Sequence, residues 1–379
     1  MGGDERHQEA RRGRRGTRSG APALTHRPAL DGVRAIAILL VLGAHSASVP
    51  KDGWLGVDLF FVLSGFLITS LLLAEHASTG RVRLTAFWAR RGWRLIPAVL
   101  VVLATYVVAL AATGRLSWFS VGGALAGLTY SSNLLIAGGY ALPTGTHHLW
   151  SLAQEEQFYL LWPPLLFLVL RGRARIALAA VAALLAVEIA AGVTLPRTDR
   201  LWFAPDTRGI GILVGCAAGL LWQRRRSQVE AVARYTWPIA LVLFVGFVFA
   251  PLGSLMFRGP LVLFCVACAV LIVRCTHETA GLSRALRPKP VVWLGLISYS
   301  VYIWHLPVFL ALGIDQIEGP FWLDIGAITL TLLLAAATYQ LVERPLRKYG
   351  RARSQRGPIR REGGQVEPLG ALPAGRELV

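Results

Sequence analysis

Residues 30–46 read LDGVRAIAILLVLGAHS, an apolar run with Arg34 near its start and His45 near its end. On an α-helix the two positions are about three turns apart, so both side chains lie on one face, about 16 Å apart along the axis. An ionisable residue inside an apolar span is costly unless it faces protein or water, so this pair indicates a polar path. The alternative is that Arg34 reaches a lipid headgroup and His45 ends the span, and this stretch alone favours neither.

The composition places the rest of the chain in a membrane. Of 379 residues, 54% are hydrophobic and only 16% are charged. Apolar runs of about 20 residues recur along the chain, and each is long enough to cross a bilayer as a helix. The sequence therefore predicts an all-α, polytopic membrane bundle of about ten transmembrane helices.

The net charge of +18 would suggest nucleic acid as the partner of a soluble domain. Here the arginines lie in the two ends of the chain and in alternate loops, as the positive-inside rule requires, so we expect no nucleic-acid partner. Residues 1–28 and 348–379 are predicted to be disordered, basic cytoplasmic tails around a transmembrane domain at 29–347. Anionic lipid is a secondary partner for these tails. Counting the weakly apolar stretch 119–137 as a further span would put the arginine clusters outside.

The polar segment at residues 147–163 reads HHLWSLAQEEQFYLLWP. Glu155 and Glu156 cannot both face lipid, so at least one must point into the bundle. His148 lies seven residues before Glu155, which would put the two on one helical face. A histidine near a carboxylate is the minimal set for a general base. The spacing does not match a zinc motif, and we expect no metal here. The four cysteines lie in or at the edge of apolar spans and are predicted to be buried thiols, with neither disulfide nor metal.

Further candidates lie in other spans. Asp58 is either a functional acid or a helix-entry residue favoured by the helix dipole. On the same span, Ser64–Gly65 is interpreted as a small-residue packing site rather than a nucleophile, because no base accompanies Ser64 in sequence. Arg91 and Arg94, three apart on one face, suit a phosphate but also mark a cytoplasmic helix start. Tyr299 and Tyr302 would either line a pocket or belong to an interfacial aromatic belt. Two residues complete the set: Arg208, which is predicted to lie in an outer cavity, and His305, which is interpreted as a buried bundle histidine.

Seven motifs then occur in one order: R-x10-H (34–45), GVDLFFVLSGFLI (56–68), RRGWRLIP (90–97), LWSLAQEEQFYLLWP (149–163), DTRGIGILVG (206–215), ISYSVYIWHLPV (297–308) and ERPL (343–346). Together they closely resemble the acyltransferase 3 family of membrane-bound O-acyltransferases. The likeness covers residues 30–347, nearly the whole chain without its ends. Such enzymes move acyl groups, commonly acetyl from acetyl-CoA, to hydroxyls of carbohydrates and other glycosylated molecules.

The resemblance implies roles for particular residues. His45 and Arg34 match the family's first-helix pair, Arg91 and Arg94 match its RxxR pair, and Gln154 replaces a usually apolar residue. The predicted catalytic set is His45, Glu155, Glu156 and His148, and the predicted donor-binding set is Arg34, Arg91 and Arg94. The residues predicted to line the cavity are Asp58, Ser151, Tyr159, Arg208, Tyr299 and His305.

The resemblance and the predicted topology fit one mechanism. Acyl-CoA is a co-substrate rather than a bound cofactor, and its nucleotide would lie at the cytoplasmic face near the arginines. His45, at the outer end, would take the proton of an acceptor hydroxyl on a glycan, with Glu155 or Glu156 orienting its imidazole. The alternative is a transporter or flippase of a glycan or lipid-linked intermediate, which would need a site near the midplane.

Overall fold

The computed structural model describes residues 26–46, 50, 52–170, 174–196, 198–250, 252–314 and 321–355. Within these ranges the protein is built of helices and contains no strand. Ten helices coincide with the ten predicted spans and confirm the all-α bundle: α1 (Pro28–His45), α2 (Leu55–Thr79), α3 (Leu84–Ala112), α4 (Leu149–Leu170), α5 (Ala174–Thr194), α6 (Ile210–Arg224), α7 (Arg226–Phe249), α8 (Pro260–Cys275), α9 (Lys289–Ala311) and α10 (Phe321–Thr338). A further helix, α11 (Arg344–Gln355), follows α10.

Seven of the described helices are long and apolar enough to cross a membrane, namely α1, α2, α3, α5, α7, α9 and α10, the last continuing through α11 to Arg353. Helices α6 and α8 are apolar but shorter. The region 119–137, which was not expected to form a span, forms two short helices, Trp118–Leu128 and Ser132–Ala137. These helices are those of a multi-pass membrane protein.

The centre of the bundle is formed by α1, α2, α6 and α9, whose inward faces are buried. Helices α2 and α6 approach closely at Gly65 and Gly215. A Cβ atom at Gly65 would lie 2.9 Å from the backbone nitrogen of Cys216, and one at Gly215 would lie 2.9 Å from that of Phe66. Small residues permit such backbone contact between membrane helices, as the sequence predicted for the Ser64–Gly65 pair.

Two other expectations concern the ends of the chain and the cysteines. The segment 348–379 was predicted to be a disordered tail, whereas α11 extends to Gln355 and packs on α3. The tail at 1–28 lies outside the described residues up to position 25. All four cysteines are free and buried, in agreement with their prediction as buried thiols.

Candidate functional site

A cavity lies between α1, α2, α3, α4 and α9. Eight of the predicted site residues line it: Arg34, Arg91, Arg94, Ser151, Glu155, Glu156, Tyr159 and Tyr299. Ser64, Ser298 and Tyr302 add further hydroxyl groups to the wall. Three arginines and two glutamates from three helices therefore converge on one space, although they are far apart in sequence.

Arg34 is fixed by a residue that the sequence analysis did not single out. Its Nη1 donates to Oδ1 of Asp31 over 2.7 Å, and the Asp31 side chain is almost fully buried. The other carboxylate oxygen of Asp31 lies 2.6 Å from Nε2 of His26. Because a hydrogen bond to an ionised partner is short and strong, Asp31 holds Arg34 where it lines the cavity.

The RxxR pair also reaches the cavity, and its members are held differently. The guanidinium of Arg91 lies 3.6 Å from the ring centre of Tyr159 and 5.5 Å from that of Phe87. Such contacts between a cation and an aromatic face are attractive. Nε of Arg94 lies 3.8 Å from a carboxylate oxygen of Glu343. The helical spacing therefore predicted correctly that Arg91 and Arg94 share a face.

Glu155 forms a small hydrogen-bonded group with two hydroxyls. Its Oε1 accepts from the hydroxyl of Tyr159 over 2.6 Å and from Oγ of Ser64. The Tyr159 hydroxyl oxygen also lies 2.8 Å from Oγ of Ser64. Oε1 of Glu156 is buried and has no hydrogen-bond partner among the described residues. The cavity therefore holds one carboxylate with defined donors and one whose acceptor atom is unused.

The three histidines lie together, outside the residues that line the cavity. The ring centres of His45 and His305 are 5.1 Å apart, and those of His148 and His305 are 4.8 Å apart. Tyr302 lines the cavity and contacts this group, because its ring centre lies 5.4 Å from that of His148 and 5.3 Å from that of His305, and its hydroxyl donates to the His148 carbonyl. Within the described ranges, no group of three or more His, Cys, Asp or Glu side chains is placed to hold a metal.

The expected contact between a glutamate and a histidine is not present. Nδ1 of His45 lies 2.9 Å from the Val41 carbonyl, while Glu155 bonds to Ser64 and Tyr159. His148 directly precedes α4 with helical backbone angles, but seven residues of helix rise about 10 Å along the axis, so a shared face does not bring its side chain into contact with Glu155. Both of its ring nitrogens are buried without a hydrogen-bond partner among the described residues. Burial lowers the pKa of His148 far below its ordinary value, so its imidazole is neutral.

His305, Asp58 and Arg208 were predicted to line the cavity, and they do not. His305 is fully buried in the histidine group. Asp58 and Arg208 form a two-pronged ion pair, in which Nη2 donates to Oδ2 over 2.8 Å and Nη1 donates to Oδ1. The guanidinium also lies 5.0 to 5.6 Å from the ring centres of Trp54, Phe257 and Trp150. Both charges are removed from water, so they must satisfy each other and do not face a ligand.

Three residues of the site were missed from the sequence. Asp31 belongs to the same first-helix motif as Arg34, three positions earlier, and this spacing was a usable signal. Ser64 was interpreted as a packing residue because no base accompanies it in sequence. Glu343 belongs to the closing ERPL motif but was assigned no role.

The comparisons with known proteins agree with this geometry. A family model for an acyltransferase domain, Acyl_transf_3, matches residues 27–340. The protein YrhL of Bacillus subtilis is 34% identical over 351 residues, which is 85% of this chain and 55% of that protein. The peptidoglycan O-acetyltransferase OatA of Listeria monocytogenes is 32% identical over 364 residues, 85% of this chain and 56% of its own.

The O-acetyltransferase OatA of Staphylococcus aureus is 31% identical over 353 residues, again 85% of this chain and 57% of that protein. The chain thus spans little more than half the length of the curated relatives it matches. No solved structure matches the chain.

Proposed function

Because the chain belongs to the acyltransferase 3 family, whose model covers residues 27–340, we propose that it transfers an acetyl group from acetyl-CoA to a hydroxyl of a glycan. Peptidoglycan is the first acceptor to test, since one relative is named for that activity. The observation that carries the proposal is the single cavity in which Arg34, Arg91 and Arg94 meet beside the histidine group. The arginines supply positive charge for a phosphate-bearing donor, and the histidine group supplies a candidate base.

The arginines would bind the phosphates of the donor. Arginine presents a planar fork of N–H groups that matches phosphate oxygens, and two or three such groups give a strong, oriented contact. Arg34 is held by Asp31 and Arg91 by the Tyr159 ring, so both groups are ordered before a ligand arrives. We place this end of the cavity and both chain termini at the cytoplasmic face, because the basic loops lie on that side.

His45 would act as the general base. Its Nδ1 lies 2.9 Å from the Val41 carbonyl oxygen, which can only accept a hydrogen bond. In that arrangement Nδ1 carries the hydrogen and Nε2 keeps a lone pair, which is the form required to take a proton. The acceptor oxygen then attacks the thioester carbon, the carbon–sulfur bond breaks, and the proton held by His45 passes to the leaving sulfur.

The test is transfer by the purified full-length chain, reconstituted in vesicles with labelled acetyl-CoA and peptidoglycan fragments. Removing a positioned base costs about 10²- to 10⁴-fold in rate, so we expect His45→Gln to lose transfer by that factor. His76→Gln is the matched control, since His76 lies in the last turn of α2, contacts Phe167 and does not line the cavity.

Near-normal transfer by a well-expressed His45→Gln variant would return His45 to a structural role. Movement of the glycan across the vesicle membrane without any acylated product would support the other function class, a transporter or flippase. The two results are separated by mass spectrometry of the recovered glycan, because only transfer adds an acetyl group.

A further inference from the structure

A π-helical turn, Tyr339–Glu343, joins α10 to α11. In a π-helix each hydrogen bond spans one residue more than in an α-helix, so the residues after such a turn face a different direction. These turns are rare and frequently occur at functional sites. Glu343 is the last residue of this turn, and its side chain is fully buried although it lies in an otherwise basic segment.

The carboxylate of Glu343 is held between two helices of the site. Oγ of Ser300, on α9, donates to its Oε2 over 3.2 Å. Its Oε1 lies 3.8 Å from Nε of Arg94, which is on α3. Both Oε1 and Nε are buried, and neither has a hydrogen-bond partner among the described residues. Arg94 is therefore the first of three arginine charges that act on this carboxylate, ahead of Arg347 and Arg34, and a buried charge without such partners is strongly unfavourable.

The helix that follows contacts the same short stretch of α3. The rings of Tyr349 and Trp93 are 5.1 Å apart and nearly perpendicular. A Cβ atom at Gly350 would lie 2.7 Å from Cβ of Trp93, so α11 approaches Trp93 as closely as a glycine allows. Trp93 directly precedes Arg94. The C-terminal segment thus contacts the RxxR motif at two consecutive residues, and none of its own residues lines the cavity.

We propose that Glu343 is a positioning residue for the donor site and acts through Arg94. It engages the guanidinium at Nε, so the terminal nitrogens Nη1 and Nη2 are left to form a fork toward the cavity that Arg94 lines. A phosphate accepts from such a fork in a two-pronged contact. The identity of the anion as the phosphate of acyl-CoA rests on the proposed function, whereas the control of Arg94 by Glu343 does not.

The first measurement is the affinity of the full-length chain in detergent for coenzyme A, by calorimetry. We expect Glu343→Ala to raise the Kd about tenfold, the loss of one charge-assisted contact. Glu343→Gln keeps an accepting oxygen and should fall between wild type and alanine. In an Arg94→Gln background, Glu343→Ala should change the Kd no further, because coupled residues show non-additive effects.

The control is Glu230→Gln. Glu230 also accepts from an arginine, Arg226, over 2.8 Å, but it lies outside the cavity. This variant should leave the Kd unchanged. Tighter binding of coenzyme A by Glu343→Ala, or an equal loss in the Arg94→Gln background, would overturn the proposal.

The second measurement does not depend on the donor. Phenylglyoxal modifies accessible arginines, and mass spectrometry gives its rate at each position, with Arg34 and Arg91 as internal references. We expect Arg94 to react several-fold faster in Glu343→Gln than in wild type, because its guanidinium is no longer held. Unchanged reactivity at Arg94 would refute the positioning role. Failure of wild type to bind coenzyme A would instead refute the proposed donor and leave this result to decide the role of Glu343.

Discussion

Two of the places where this bundle pairs arginine with a carboxylate differ in how fully the charges are satisfied. Between Asp58 and Arg208, both carboxylate oxygens and both terminal nitrogens are used, aromatic rings enclose the guanidinium, and among the described residues only Nε of Arg208 is left without a hydrogen-bond partner. In the cavity, Arg94 and Glu343 meet at 3.8 Å through single atoms, and Oε1 of Glu156 has no hydrogen-bond partner among the described residues. A two-pronged pair such as Asp58–Arg208 holds helices together, whereas a group with an unused donor or acceptor atom can still bond to a ligand.

The largest expected effect is the loss of stability when the Asp58–Arg208 pair is broken. Arg208→Ala would leave Asp58 charged and buried without its partner, and breaking a buried pair in this way costs about 3–5 kcal/mol. We expect a large fall in the melting temperature of the purified chain, with loss of transfer following from unfolding.

The replacement Asp58→Leu with Arg208→Met tests whether the pair is only structural. Apolar residues of similar size often restore the stability lost when a buried pair is broken, so this double variant should melt near wild type and keep its affinity for coenzyme A. A stable double variant that no longer binds the donor would mean that the pair contributes to the site, and the comparison would fail.

An intermediate effect is expected in the cavity, where a substitution should weaken donor binding and leave stability nearly unchanged. Arg91→Gln removes a charged group that lines the donor space, and a contact to a charged group contributes about 1.5–3 kcal/mol. The Kd for coenzyme A should rise about 10- to 100-fold. The melting temperature should change little, because Arg91 stacks on the Tyr159 ring and is not held in a two-pronged ion pair among the described residues. A melting point lowered as far as in Arg208→Ala would remove the distinction between the two places.

The smallest effect concerns Ser64, which belongs to the cavity but is hydrogen-bonded. Ser64→Ala removes one of the two hydroxyls that donate to Oε1 of Glu155 and leaves Tyr159 in place. One hydrogen bond contributes about 0.5–1.5 kcal/mol, so we expect a slight loss of stability and a change in transfer rate below tenfold. Ser70→Ala, on the same helix and without a hydrogen bond from its hydroxyl, serves as the control.

The ten helices α1 to α10 could be predicted from the sequence because each apolar run is a local signal. The shared face of Arg91 and Arg94 was also predictable from helical spacing. The Asp58–Arg208 pair was not, because it joins residues 150 positions apart and no pattern near either residue indicates the other.

The predicted contact of Glu155 with a histidine failed for a different reason. A shared helical face does not ensure contact, because seven residues of helix rise about 10 Å, and His148 contacts His305 instead.

Glu343 could not be assigned a role from the sequence, because its inward direction depends on a π-helical turn. A period of 3.6 residues continued through Tyr339–Glu343 would aim its side chain elsewhere. The third residue missed, Asp31, could have been predicted, since it lies one turn before Arg34 and carries the opposite charge.

The close approach of α2 and α6 limits which sequences this bundle can tolerate. Gly65 and Gly215 each face the backbone of the other helix, so a single methyl group at either position would push the two helices apart. Ser64 of the cavity is next to one glycine, and Asp58 lies on the same helix less than two turns earlier. One added carbon at this crossing would therefore disturb both the buried Asp58–Arg208 pair and the wall of the cavity at Ser64, so these two positions have almost no freedom to vary, in contrast to the lipid-facing surface.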